Sequence, residues 1–206
     1  HSPDPQLWNR HFDYLFRAWS DERAIRIDGK PVFLIYRAHL IRELGAMIDT
    51  WRERALRQGL PGLYLVSMKQ YDFPHPESVK HFDAVMHFQP FEALYSPRFE
   101  GAPGPLARRM IAPLRRLPEQ AQDILRAIRN RFFAGITFYD YDKVWQHIVD
   151  SGREAGITTF PGAFVDGDNS PRYARKARIF RGVSPERFAY WFRQLVEATT
   201  RRPPAE

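Results

Sequence analysis

The run Pro31-Val32-Phe33-Leu34-Ile35-Tyr36 constrains this chain more than any other segment, because no polar residue interrupts it. It lies in the stretch Ile25 to Arg37, where Asp28-Gly29 is a turn signal and Pro31 suits the first position of a strand. A strand without polar alternation is expected to be covered on both faces, which is the situation of a central parallel strand flanked by helices. Tyr36 and Arg37 follow the last apolar residues directly, at the carboxyl end where ligands of parallel α/β folds bind. The competing reading of Arg37 is a solvated loop charge.

The surrounding chain repeats a strand and helix cadence. Trp8, Phe12, Leu15, Phe16 and Trp19 recur at helical spacing and predict an amphipathic helix over 6–20 with its aromatics in the core. From Leu40 a second helix is expected, with Ile41, Leu44, Ile48, Trp51 and Ala55 on one face, ended by Gln58-Gly59 and Pro61. Leu63–Met68 reads as the next buried strand, so strand, helix and strand form one βαβ unit. Phe82–Phe88 predicts a third parallel strand with His87 and Gln89 at its end, and Ile157–Val165 a fourth that runs straight into Asp166-Gly167-Asp168-Asn169-Ser170-Pro171-Arg172. Helices are expected over 120–133, 142–149 and from Ser184-Pro185 onward, the last burying Phe188, Trp191, Phe192 and Leu195. The cadence points to a barrel or an open parallel sheet.

Length and charge narrow the partners. The 206 residues, 44% hydrophobic, suit one domain over 1–206, interrupted at about 91–135 by an irregular, basic, proline-rich insertion. The absence of cysteine excludes a disulfide scaffold and a thiolate metal site, and the default location is cytoplasmic. No apolar run reaches the roughly 20 residues that a bilayer-spanning helix needs. A net charge of +7, rich in arginine, favours anionic partners or surfaces, although a solvated basic face is the plainer reading.

The strand ends supply groups that hydrogen-bond sugar hydroxyls or phosphate oxygens: Tyr36 and Arg37, Lys69 and Gln70, His87 and Gln89, and the 166–172 cluster. Asp166 and Asp168 are spaced to share a hard cation, but an acidic turn supporting its loop is the favoured reading, and Ala177 stands where a calcium loop needs its last glutamate. His75, His81 and His87 are six residues apart, a spacing that matches neither a helix face nor a strand face, so no metal or other cofactor is expected. There is no glycine-rich phosphate loop, nucleophile elbow or His-Glu-x-x-His.

Several segments in order, Ile-Asp-Gly-Lys-Pro-Val-Phe-Leu-Ile-Tyr-Arg at 27–37, Gly-Leu-Pro-Gly-Leu-Tyr-Leu at 59–65, Phe-Asp-Ala-Val at 82–85 and Asp-Asn-Ser-Pro-Arg at 168–172, resemble the WbsX-type family, also described as glycoside hydrolase family 99-like. His-Phe-Asp-Tyr-Leu at 11–15, Phe-Tyr-Asp-Tyr at 138–141 and Ser-Pro-Glu-Arg-Phe at 184–188 fit the same resemblance. It implies a (β/α)₈ TIM-barrel type of fold, incomplete in this chain, since eight repeats need about 250 residues. It further implies glycosyltransferase or endo-glycosidase-like action on glycosidic bonds in bacterial cell-surface polysaccharide metabolism, specifically of lipopolysaccharide O-antigen. The substrate would be an oligosaccharide or nucleotide sugar, contacted by Tyr36, Arg37, Gln89, Asp168, Asn169 and Arg172.

The resemblance also leads one to expect a Trp-Asn-Glu-Trp-like strand end after the final helix, and an Asn-Trp motif ahead of His11. The chain contains neither, so it is expected to be a segment of a longer protein whose catalytic carboxylates lie outside 1–206. Glu186 is read as a first-turn helix residue stabilised by the helix dipole. The alternative from another class is a non-catalytic module that binds anionic glycan, lipid or RNA through the arginines of 101–131.

Overall fold

The computed structural model describes residues 4–69, 79–96, 99, 136–152, 156–174 and 177–201. The expected helix over 120–133, the arginines of 101–131, His75 and Gln70 lie outside these residues. The chain forms two compact units, one from the described residues of His1–Phe88 and Gly152–Pro161, the other from those of Gln89–Ser151 and Gly162–Pro203.

In the first unit, α1 (Pro5–Trp19) starts where the Asp4 carboxylate accepts a hydrogen bond from the Gln6 N–H, with Pro5 at its first position. The two-residue strand β1 (Arg26–Ile27) turns through Asp28 and Gly29, both at positive φ, into β2 (Lys30–Tyr36). This is the tight antiparallel hairpin that an Asp-Gly pair favours. After a short 3₁₀ turn at Ala38–Leu40 comes α2 (Leu44–Arg57), then β3 (Tyr64–Lys69), β4 (Ala84–His87) and later β6 (Thr158–Phe160). The sheet order is β1-β2-β3-β4-β6, parallel from β2 onward, with Tyr36 beside Met68 and Lys69 beside His87. Helices and parallel strands alternate as in an incomplete (β/α)₈ barrel, with fewer than eight strands among the described residues.

The core of this unit is built largely from aromatic rings. Phe12, Trp19, Phe33 and Trp51 meet in edge-to-face contacts with centroids 5.4 to 6.0 Å apart, and Ile35, Ile48 and Leu65 fill the remaining space. The Trp51 indole donates to the Trp8 carbonyl at 3.0 Å, and Arg54 packs over the Phe12 ring while pairing with Asp13 at 2.6 Å. At the other end of the sheet the Asp83 carboxylate accepts from the Leu65 N–H and from Arg52. The expectation that both faces of β2 are covered is corrected: Ile35 is buried with the helices, whereas Leu34 is 38% and Tyr36 48% exposed. Apolar character shows what a strand can bury, but only the packed helices decide which face is sealed.

The second unit contains α3 (Phe91–Tyr95), β5 (Thr137–Asp140), α4 (Tyr141–Asp150), α5 (Ser170–Tyr173), β7 (Arg178–Arg181) and α6 (Pro185–Arg201). Strands β5 and β7 pair in parallel, bringing Asp140 opposite Arg181. Tyr141, Trp145, Phe164 and Phe180 form its aromatic core with Trp191 and Leu195.

Four readings of the sequence are revised. The helix expected from Leu40 begins at Leu44, since residues 38–40 form the 3₁₀ turn. The strand expected over 157–165 is confined to Thr158–Phe160, because Pro161 has no N–H for a ladder. Phe192 is 43% exposed rather than buried, because the packed stripe of α6 runs through Trp191 and Leu195. Strands β5 and β7 were not anticipated.

The core geometry makes a contrast in stability measurable. Trp51→Ala is expected to cost about 3–5 kcal/mol in urea unfolding, while Tyr14→Ala, on α1 but 76% exposed, should change it by less than about 0.5 kcal/mol. Equal losses from the two would contradict the packing described.

Candidate carbohydrate-binding site

The parallel pairing of β2, β3 and β4 brings their carboxyl ends to one edge of the first unit's sheet. Tyr36, Lys69 and His87 close these strands, and Phe88 follows, its N–H bound to the Lys69 carbonyl at 2.8 Å. The half-exposed Tyr36 ring meets Phe88 edge-on at 5.6 Å, and the Arg37 guanidinium lies over it, 5.3 Å from the ring centre. Arg37 has left-handed backbone angles, φ 53° and ψ 49°, which a residue with a side chain adopts at a cost. That bend turns the chain off the strand into the 3₁₀ turn and leaves the Arg37 side chain exposed. His87 is buried.

The remaining anticipated residues belong to the second unit. Gln89 is 7% exposed, and its carboxamide is committed locally: the oxygen accepts from the Ala93 N–H at 3.1 Å and the nitrogen approaches Glu92 at 3.4 Å. It therefore organises the first turn of α3.

Asp168, Asn169 and Arg172 do come together in one turn. The Asp168 carboxylate accepts from the Ser170 N–H at 2.7 Å, the Asn169 side-chain oxygen accepts from the Arg178 N–H at 2.7 Å, and the Asn169 carbonyl accepts from the N–H groups of Arg172 and Tyr173. Hydrogen bonding from Ser170, side chain first and backbone second, holds the Asp168 carboxyl below its ordinary value. Asp168 thus keeps its charge at neutral pH, and its support of the turn is lost only as pH falls through that lowered value.

Arg172 lies 5.5 Å from the centre of the Tyr173 ring and forms no ion pair with Asp166 or Asp168. Asp166 accepts from the next residue's N–H, that of Gly167, so the acidic pair is engaged in turn geometry. Among the described residues no group of three or more histidine or acidic side chains is arranged to hold a metal ion, and no helix is long and apolar enough to cross a membrane.

Sequence reasoning missed Phe88 as the ring against Tyr36. The signal available was the last aromatic of a predicted strand, and it was counted as part of that strand. It also missed Asp140 and Arg181, which face each other only because β5 and β7 pair.

This geometry separates two roles in the 168–172 turn. Asn169→Ala leaves the Arg178 N–H without its partner and should cost about 1–3 kcal/mol, whereas Arg172→Lys should leave the melting temperature within about 1 °C, because no ion pair with Asp166 or Asp168 is lost. Thermal unfolding of the two variants checks this, and a large loss for Arg172→Lys would make it a brace for the loop.

Comparison with known proteins agrees with the motifs. The uncharacterised WxcX proteins of two Xanthomonas campestris pv. campestris strains are 24% and 23% identical to this chain over 200 residues, 96% of the chain. The chain spans about a quarter of the length of these curated relatives. Two structures of the GH99 endo-α-mannosidase from Bacteroides thetaiotaomicron, one with bis-tris-propane bound, align with 97% of the chain and 65% and 69% of theirs, at 12% and 13% identity and TM-scores of 0.44 and 0.46. The family model described as Glycosyltransferase WbsX matches residues 1–206, the whole sequence, and the chain belongs to that family.

Proposed function

We propose that the protein to which these residues belong acts on glycosidic bonds, as a glycosyltransferase or an endo-glycosidase, in the metabolism of bacterial cell-surface polysaccharide such as lipopolysaccharide O-antigen. The observation that carries this reading within the chain is the exposed pair at the end of β2, where a half-exposed tyrosine ring carries a guanidinium. An aromatic face packs against the C–H groups of a pyranose ring, and a guanidinium donates to its hydroxyls, carboxylate or linked phosphate. The membership in the WbsX family supports the same chemistry.

In this reading Tyr36 and Arg37 are the substrate-contacting residues carried by the first unit, and Asp168, Asn169 and Arg172 are those carried by the second, Asn169 also shaping its turn. Gln89 contributes by supporting α3. Acid–base catalysis of glycosidic cleavage requires paired carboxylates about 5–10 Å apart, and we assign that pair to residues outside 1–206. Incubating the longer protein with labelled nucleotide sugars and, separately, with mannan-type oligosaccharides distinguishes transfer from hydrolysis. Turnover of neither would remove the enzymatic reading.

Arg37 provides a test in which stability and binding move apart. Arg37→Gly removes the guanidinium while relieving the left-handed backbone, so the melting temperature should hold or rise, with a gain of up to about 1 kcal/mol. Glycan affinity should fall about tenfold, the equivalent of one charge-assisted hydrogen bond. Calorimetry and thermal unfolding on the same samples check both, and unchanged affinity would return Arg37 to a solvated loop charge.

A further inference from the structure

The second unit holds a cavity of about 340 Å³ lined by Asp142, Glu186, Arg187, Tyr190 and Trp191. None of these residues belongs to the strand-end pair or to the 168–172 turn. Asp142 lies two residues beyond the end of β5, and Glu186 five beyond the end of β7, so the cavity opens where two parallel strands hand over to helices. Its size is at the low end of small-ligand pockets, ~300–1,000 Å³, enough for one sugar ring.

The lining is held in place by its own bonds. The Trp191 indole donates to Asp142 Oδ1 at 2.8 Å, and a terminal nitrogen of Arg187 pairs with Asp142 Oδ2 at 3.4 Å while donating to the Gly182 carbonyl at 2.9 Å. Both recorded side-chain bonds of Arg187 use that one nitrogen, so Nε and the other terminal nitrogen have no partner among the described residues. Gly182 makes this approach possible: its φ of +83° disfavours a side chain, and a Cβ there would collide with the Arg187 guanidinium. Tyr190 is 52% exposed and meets the nearly buried Trp191 edge-on, 5.1 Å between centroids.

Charge selects the ligand class. Among the described residues that line it, Asp142 and Glu186 carry two negative charges against the single positive charge of Arg187, so this lining is net acidic on a chain of net charge +7. A phosphate or a uronate would be repelled, whereas hydroxyl groups donate readily to carboxylates. The Ser184 hydroxyl, and next the backbone N–H of Glu186 itself, hold the Glu186 carboxyl below its ordinary value, so the acceptor remains ionised at neutral pH.

We propose that this cavity is a subsite for one neutral sugar residue, its ring packed on Tyr190, its hydroxyls donating to Glu186 and Asp142 and accepting from the free nitrogens of Arg187. The inference rests on the carbohydrate reading above and adds a second contact point of defined selectivity. Glu186, first explained by its place at a helix start, thereby gains a ligand-binding role. The subsite tolerates uncharged hexose units and rejects acidic ones.

The test titrates the longer protein with manno-, gluco- and galacto-tetraose and with tetragalacturonate, followed by saturation-transfer NMR and calorimetry at pH 7. Wild type should bind at least one neutral tetramer and show no measurable binding of the uronate to this cavity. Tyr190→Ala and Glu186→Gln should each weaken the neutral ligand at least tenfold, with Tyr14→Ala as the surface control and circular dichroism as the check on folding. Gly182→Ala, which displaces Arg187, should weaken it as well. Binding of a neutral tetramer that both Tyr190→Ala and Glu186→Gln leave unchanged overturns this subsite alone, whereas failure of the wild type to bind any tetramer overturns the carbohydrate reading together with it. Uronate binding that is lost with Tyr190→Ala overturns the assigned selectivity.

Discussion

Parallel pairing of backbone between Val32–Tyr36 and Tyr64–Met68 is the constraint on which the first unit depends. A parallel partner cannot be reached through a tight turn, so the chain must cross over, and α2 is that crossover. The crossover in turn needs an apolar face to lay on the sheet, which Leu44, Ile48, Trp51 and Ala55 provide at steps of three and four. Trp51 has a further role: its ring fills the aromatic cluster while its N–H reaches the Trp8 carbonyl, so one residue ties α1, α2 and the sheet. The polar atom of this buried indole is thus satisfied by backbone rather than left as an orphaned donor.

The same constraint creates the chemistry of the strand ends. Parallel strands finish at one edge, so residues distant in sequence, Tyr36 and Phe88, become neighbours without any motif linking them. In the second unit β5 and β7 achieve the same result with four residues each, and helices α4 and α6 start beyond their ends. The two units use this device with opposite charge: a guanidinium on an exposed tyrosine in the first, and a net acidic cavity beside an exposed tyrosine in the second.

Support for these groups comes from residues whose side chains bond or pack within the fold. Gln89 holds the first turn of α3, Asn169 caps the N–H of Arg178, and Gly182 makes room for Arg187. Each has a polar or small side chain of the type that also binds ligands or forms turns, so sequence alone could propose Gln89 and Asn169 as substrate contacts but could not show their local bonds. A carboxamide has the same donors and acceptors in either role, and only its partners in the fold distinguish them.

How much was legible follows from how local each signal is. Helices α1, α2, α4 and α6 were readable because a 3.6-residue period extends over ten or more residues, and β2 and β3 because their apolar runs are long. Strands β5 and β7 were not, because Thr-Phe-Tyr-Asp and Arg-Ile-Phe-Arg are too short to carry a period and are strands only by virtue of each other. The order of motifs was sufficient for the family, whose model matches the whole sequence. Tertiary structure alone decided which face of β2 stays open, that Arg172 carries no ion pair to its acidic neighbours, and that Asp142 and Glu186 share one cavity with Arg187. Those outcomes depend on how the packed chain places each side chain, and no local pattern of residues encodes the distances between them.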